Sequence, residues 1–102
     1  MKSELDLLLL AVLRGRPRHG YELIAALRDR SGGTFDLPEG TVYPALHKLE
    51  RDGVVASEWD VVDGRRRRVY SLTAEGAKAL ASRRHTWASY AAAVNRVIGA
   101  PA

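Results

Sequence analysis

Residues 40–76 read GTVYPALHKLERDGVVASEWDVVDGRRRRVYSLTAEG, and a change of period inside this stretch decides the fold. From Gly40 to about Asp52 the apolar residues Val42, Leu46 and Leu49 recur on one face of a helix, and Gly53 closes it. Pro44 falls only about one turn from the start of that helix, where its missing N–H costs least. From Val54 the period drops to two. Val54–Val62 reads as one strand and Arg67–Leu72 as a second, with Asp63-Gly64 between them as the turn of a β-hairpin. Thr73 then has the side chain of a helix N-cap, and Glu75 suits the positive end of the helix that follows.

Upstream, Leu5, Leu8, Leu9, Val12 and Leu13 follow the spacing of an amphipathic helix, with Ser3 as its N-cap and Glu4 and Asp6 near its start. Leu7, Leu10 and Ala11 add apolar surface on the opposite side, which a second copy of the chain would cover. Gly15 and Pro17 end this segment. A second helix is expected over His19–Arg30, with Tyr21, Ile24 and Leu27 as a core stripe beside Leu23, stopped by Ser31, Gly32 and Gly33. Thr34–Leu37 alternates enough for a short strand. Downstream, the last helix runs from Thr73 to about Ile98, some 25 residues or roughly 37 Å. Ala77, Leu80, Arg84, Trp87, Ala91, Val94 and Ile98 step along it as a heptad seam, interrupted only by Arg84, which can snorkel to water. The seam implies a dimer.

The expected fold is mainly α with a small β-hairpin. Three helices followed by a hairpin form a winged helix-turn-helix, residues 1–73, and residues 74–102 form a long C-terminal dimerisation helix. In that arrangement the third helix enters a major groove and the hairpin is the wing.

The chain has 102 residues, 46% of them hydrophobic, which suits one small domain with a thin core. There is no cysteine, so disulfides, thiolate zinc sites and cysteine nucleophiles are all excluded. The longest apolar run, Leu7–Leu13, is seven residues, far short of the ~20 that span a bilayer. Acidic Glu4 and Asp6 precede it where a signal peptide carries positive charge. A protein of the reducing cytoplasm, with no membrane partner, is expected. His19, His47 and His85 are too far apart to make a metal pair, and no nucleophile elbow, phosphate loop or dinucleotide fingerprint occurs. Neither catalysis nor a metal or other cofactor is expected.

Charge is more informative than length. The net charge of +4 hides a split: residues 1–64 carry eight basic and eleven acidic side chains, and residues 65–102 eight basic and one acidic. A concentrated basic region suits a phosphate-bearing partner, although a solvated basic face has the same composition. With Val42, Leu46 and Leu49 inward, Thr41, Pro44, His47, Lys48 and Arg51 face outward on the third helix. All but the proline can donate to phosphates or base edges. Tyr43 sits between the faces, open to packing, to phosphate contact or to both.

In the wing, Gly64-Arg65-Arg66-Arg67-Arg68 sets four guanidinium groups at and beyond the tip. Alternation sends Arg65 and Arg67 to one face and Arg66 and Arg68 to the other. The alternative, a disordered charged loop, leaves self-repulsion that Asp60 and Asp63 offset only in part. Double-stranded DNA is the favoured partner, and a winged-helix module that binds an acidic protein is the rival. Trp87, mid-seam, either packs or stacks on a flat ligand between subunits.

His19-Gly20-Tyr21-Glu22-Leu23, Gly40-Thr41-Val42-Tyr43-Pro44-Ala45-Leu46, Leu49-Glu50-Arg51-Asp52-Gly53-Val54-Val55 and Gly64 through Gly76 together resemble the PadR family of transcriptional regulators, over about residues 4–80. The single C-terminal helix is similar to the family's short members. The resemblance implies a homodimeric repressor on a pseudo-palindromic operator, released by a small aromatic or drug-like effector. It implies that Gly40, Thr41, Tyr43 and Pro44 start the recognition helix; the outward face read above adds His47 and Lys48 at the major groove. His19 and Tyr21 would lie near phosphates, and Gly64, Arg65, Arg66 and Arg67 would make the wing contact. Trp87 is the nearest match to a ligand-stacking tryptophan. Leu7, Leu10, Leu80, Trp87, Ala91, Val94 and Ile98 would form the dimer interface. One departure is Leu37-Pro38-Glu39-Gly40 before Thr41, where the family commonly has Ser-Pro-Gly; Glu39 places negative charge near the DNA-facing helix end.

Overall fold

The computed structural model describes residues 2–101, apart from the side chains of residues 2 and 3. In chain order the elements are α1 (Lys2–Leu13), β1 (Arg18–His19), α2 (Gly20–Arg30), α3 (Glu39–Arg51), β2 (Val55–Val62), β3 (Arg65–Leu72) and α4 (Ala74–Ile98). The three strands form one antiparallel sheet in the order β1-β3-β2. This is the helix-helix-helix-hairpin-helix order read from the sequence, with one strand more than the hairpin.

The core gathers where these elements meet. Leu9, Leu10 and Val12 of α1, Leu23 and Leu27 of α2, and Val42, Leu46 and Leu49 of α3 enclose Val55 and Tyr70 of the sheet. The stripe expected on α3 is thus the one that is buried. The hairpin is closed by the two-residue turn Asp63-Gly64, with φ of 51° and 76°, the pair of positive values that a type I′ turn requires. Val62 opposes Arg65 and the register runs unbroken to Val55 opposite Leu72. Thr73 caps α4, its hydroxyl accepting from the Gly76 N–H at 3.0 Å and donating to the Gly53 carbonyl at 2.7 Å.

Gly76 sits where α4 lies hard against the start of β2. A Cβ there would overlap the Val54 carbonyl and the Leu72 side chain. Backbone cannot yield as a flexible side chain does, so Gly76→Ala is expected to cost about 1–3 kcal/mol through overpacking. Denaturant melts compared with an exposed control such as Ala77→Ser would show it; equal midpoints would mean the helix shifts freely.

Several expectations are corrected. α1 begins at Lys2, ahead of the cap expected at Ser3, whose side chain lies outside the described residues. The buried arc of α1 takes in Leu10 and leaves Leu8 with Leu7 and Ala11 at its edge. Leu10 is 0% and Leu80 3% exposed within this one chain, so neither offers surface to a dimer partner. Both serve the chain's own core. In α2 the buried stripe is Gly20, Leu23 and Leu27, and Tyr21, a turn of about 100° away, is 70% exposed rather than core. Residues 34–37 form no strand; the third strand is Arg18–His19, paired with Tyr70 and Val69. β3 starts at Arg65, two residues earlier than expected, because the tight turn lets pairing begin at once.

The molecule is long for its size, 53 × 28 × 22 Å. Beyond Leu80, α4 leaves the core and carries Trp87, Tyr90, Val94, Val97 and Ile98 on exposed surface.

Candidate nucleic-acid interface

The start of α2 is fastened by a capping box. Glu22 donates its N–H to His19 Nδ1 at 3.3 Å, and its carboxylate accepts the His19 N–H at 3.4 Å. Arg16 donates to the same carboxylate at 3.0 Å, and this hydrogen bond holds the Glu22 carboxyl below its ordinary range. The other ring nitrogen, Nε2, faces Glu22 Oε1 at 3.2 Å. Arg67 Nη1 lies 3.0 Å from that same Nε2. A guanidinium can only donate, so this contact ties the wing to the start of α2 and leaves the other N–H groups of Arg67 for an external acceptor.

Tyr43 of α3 lies across Gly20, where any Cβ would overlap the phenol ring. Glycine at position 20 therefore sets the distance between α2 and α3. Burial pushes the Tyr43 hydroxyl above its usual range, which keeps it a proton donor at neutral pH. His19, Gly20, Tyr21, Tyr43 and Arg65 to Arg68 line one open concavity of about 310 Å³ between α2, α3 and the wing. Two segments of the sequence, residues 19–21 and 65–68, thus meet at Tyr43.

Gly40, Thr41, Pro44, His47 and Lys48 are exposed on α3, as read from the sequence, and Gly64 occupies the wing tip. No side chain caps α3, whose N-cap is Pro38, and Glu39 stands in its first turn. Lys48 is not a free cation. Its ammonium lies 3.7 Å from Asp6 and 3.9 Å from Asp52, and Asp6 also meets Arg83 at 3.7 Å.

On the wing, Arg68 pairs with Glu50 at 3.8 Å and donates to Ser57 at 2.8 Å. Arg65, Arg66 and Arg67 pair with no carboxylate among the described residues. Three unneutralised guanidinium groups beside a neutral hydroxyl and a capped helix start form an anion-seeking surface. That geometry can grip a row of phosphates. No group of metal-ligating side chains occurs among the described residues.

Residues 9–82 match the sequence profile of the transcriptional regulator PadR-like family. The chain belongs to this family. The family is one of transcriptional regulators, and membership implies DNA binding. Over 63 residues the PadR-like chain is 51% identical to the transcriptional regulator Rv3488 of Mycobacterium tuberculosis, covering 62% of this chain and 46% of that protein. It thus spans about half the length of that relative. A PadR family transcription regulator from Clostridium difficile superposes with a TM-score of 0.83 at 30% identity, over 92% of this chain and 97% of the other. A transcriptional regulator from Clostridium thermocellum gives 0.85 at 26% identity, over 92% of each chain. These neighbours share the winged helix with its long last helix. No helix among the described residues of the PadR-like chain is long and apolar enough to cross a membrane.

Sequence reasoning missed Trp59. It lies directly opposite Arg68 on the wing, with the guanidinium carbons of Arg66 and Arg68 at 4.6 and 5.1 Å from its ring centre. Strand alternation would have placed the three on one face once the register was known.

Away from the wing, Trp87 is 46% exposed, so it does not pack into the chain's own core. With Tyr90, whose ring centre is 6.0 Å away, it borders an open cleft of about 370 Å³ with Glu4, Leu7 and Arg83. A second groove of about 690 Å³ runs along Leu7, Leu8 and Ala11 of α1 to the other side of Trp87.

Proposed function

We propose that this chain is a cytoplasmic, homodimeric repressor that binds a pseudo-palindromic operator and leaves it when a flat aromatic effector binds. The carrying observation is the surface where Arg65, Arg66 and Arg67, without carboxylate partners among the described residues, stand beside His19, Tyr21 and Tyr43. Thr41, Tyr43, Pro44, His47 and Lys48, with Gly40 at the helix start, enter the major groove. The arginines after Gly64 follow the backbone. Residues 1–73 act as the DNA-binding unit and residues 74–102 as the dimerisation helix, whose first turns also serve the core through Leu80. Leu7, Trp87, Ala91, Val94 and Ile98 face the second copy, and Trp87 with Tyr90 offers an aromatic wall to the effector.

A gel shift against the duplex upstream of its own reading frame tests the reading. A shift at low salt that weakens steeply as salt rises supports it, because phosphate contacts release counterions. No shift at low salt without added ligand favours a protein-binding winged helix instead. Flat phenolic or cationic compounds should quench tryptophan fluorescence and release the duplex, and Trp87→Ala should abolish both effects. Release without Trp87 would remove the effector from this cleft.

Asp6 makes a separate prediction. Its carboxylate competes with phosphate for Lys48, so Asp6→Asn is expected to tighten duplex binding by about two- to fivefold at low salt, the scale of one exposed ion pair. Unchanged affinity in a salt-controlled titration would show that Asp6 does not withhold Lys48 from the duplex, since Asp52 still lies 3.9 Å from it.

A further inference from the structure

We infer that Trp59 is the positioning residue of the wing: its indole, braced on the anchored Arg68, holds Arg66 outstretched for a phosphate. This rests on the DNA-binding reading above and assigns that site a residue whose side chain makes no hydrogen bond or ion pair among the described residues.

Three observations carry it. The first is exposure. Trp59 is 55% exposed at the outer part of the wing, so the core does not explain an indole there. The second is the arrangement of the two cations. Arg66 and Arg68 alternate along β3 on the face that Trp59 occupies on β2, and both guanidinium groups stand within reach of its ring. An indole face carries negative quadrupole potential and is the strongest aromatic partner for a cation. It therefore offsets the mutual repulsion of two arginines that would otherwise splay.

The third observation is an asymmetry between the arginines. Arg68 is fixed by Ser57 Oγ at 2.8 Å and by Glu50 at 3.8 Å, while the Ser57 hydroxyl donates to Glu50 at 2.7 Å. Glu50 belongs to α3, so this chain of contacts ties the wing to the recognition helix. Arg66 has no such anchor and, among the described residues, no carboxylate; its contact is the indole. Arg68 is thus a structural brace, and Arg66 is the cation left to act.

Holding Arg66 on a ring removes rotamers before binding, so less ordering remains to oppose the contact. The planar guanidinium keeps its outer N–H fork for bidentate contact with a phosphate. Phosphates flank a groove on both sides. A wing tip lowered toward it can meet one backbone with the Arg65–Arg67 row and the other with Arg66.

The test uses the full chain with Trp59→Ala, Trp59→Phe and Arg66→Ala, each alone, and the Trp59→Ala/Arg66→Ala double variant. In the free protein, ¹⁵N relaxation of the arginine Nε–H groups should show Arg66 more ordered than Arg65. Trp59→Ala should bring Arg66 down to Arg65 while Arg68 stays ordered. Against duplex DNA, Trp59→Ala should lower the salt slope by about one per subunit, as expected when one phosphate is no longer gripped. Arg66→Ala should match it, the double variant should fall no further, and Trp59→Phe should restore most of the slope. The melting temperature should hardly move. An Arg66 equally mobile with and without Trp59, or a slope that Trp59→Ala leaves unchanged, overturns the inference. If the wild-type chain shifts no duplex while Arg66 still loses order in Trp59→Ala, the DNA reading falls and the platform stands.

Discussion

Replacing Arg65 and Arg67 together by alanine is expected to weaken binding to every duplex, operator or not, by roughly 100-fold at near-physiological salt. The two side chains form the row of the wing that faces His19, and neither meets a carboxylate among the described residues. Their positive charge is therefore uncompensated in the free protein and is relieved only by an anion. Each phosphate they neutralise frees condensed counterions, so the plot of log affinity against log salt should flatten by about 0.9 for each phosphate left unneutralised. The effect should be uniform across sequences, because phosphates position a protein while base edges specify the site. Stability should change little, since the wing tip contributes nothing to the buried cluster. Titrations at three or more salt concentrations, on an operator and on an unrelated duplex of equal length, give both numbers. A loss confined to the operator would mean that these arginines read bases or groove width. An unchanged slope would take the Arg65–Arg67 row off the backbone.

The contrast with Arg68 sharpens this. A count of four arginines treats them alike, yet Glu50 and Ser57 have already claimed one. Strand alternation assigns faces correctly but has no means of showing that a carboxylate on α3 folds back onto the hairpin. Trp59 escapes notice for the same reason. Its meaning depends on the β2–β3 register, which brings it opposite a residue nine positions later.

The parts of the fold legible in the sequence are those whose cause is local. Asp63-Gly64 announces a two-residue turn because few other pairs tolerate two positive φ values in succession. Thr73 announces the start of α4 because its hydroxyl satisfies an N–H only three residues away. The inward face of α3 follows from spacing because its polar and apolar sides are cleanly divided. Where that division blurs, the pattern misleads. In α1, apolar residues occupy most of the circumference, so pattern alone cannot choose Leu10 over Leu8 for the core. In α2, Gly20 completes the buried stripe, and a residue without a side chain gives no apolar signal; Tyr21 looks like a better member. The two-residue β1 has no pattern at all. It exists because β3 offers Val69 and Tyr70 as partners at that edge. Of the candidate site, residue identities are readable, while the gathering of residues 19–21 with the wing around Tyr43 depends on long-range packing.

The largest effect is expected at the far end of the molecule. Val94→Asp combined with Ile98→Asp should convert a dimer to monomers at micromolar concentration and reduce operator affinity by about 10²–10⁴-fold, the scale on which linked half-sites lose bivalency. Both side chains are exposed in the single chain, on the part of α4 that extends past the core. A specific interface needs about 800 Å² from each partner, roughly an eighth of the 6701 Å² that this chain exposes. The last turns of α4, and the groove that Leu7, Leu8 and Ala11 of α1 line with Ala81, Trp87 and Ala88 of α4, supply apolar surface for it. Introducing two carboxylates per chain would force four like charges toward one seam, where burying an unpaired charge costs several kcal/mol. The wing and recognition helix lie apart from these substitutions, so each monomer should retain its helical circular dichroism and its weak, salt-sensitive hold on any duplex. Sedimentation equilibrium reads the assembly and a gel shift on one and two half-sites reads the bivalency. If the variant stays dimeric, the partner covers a different face. If it becomes monomeric yet binds the full operator as tightly as before, each chain recognises its half-site alone, and the exposed seam serves something other than DNA binding.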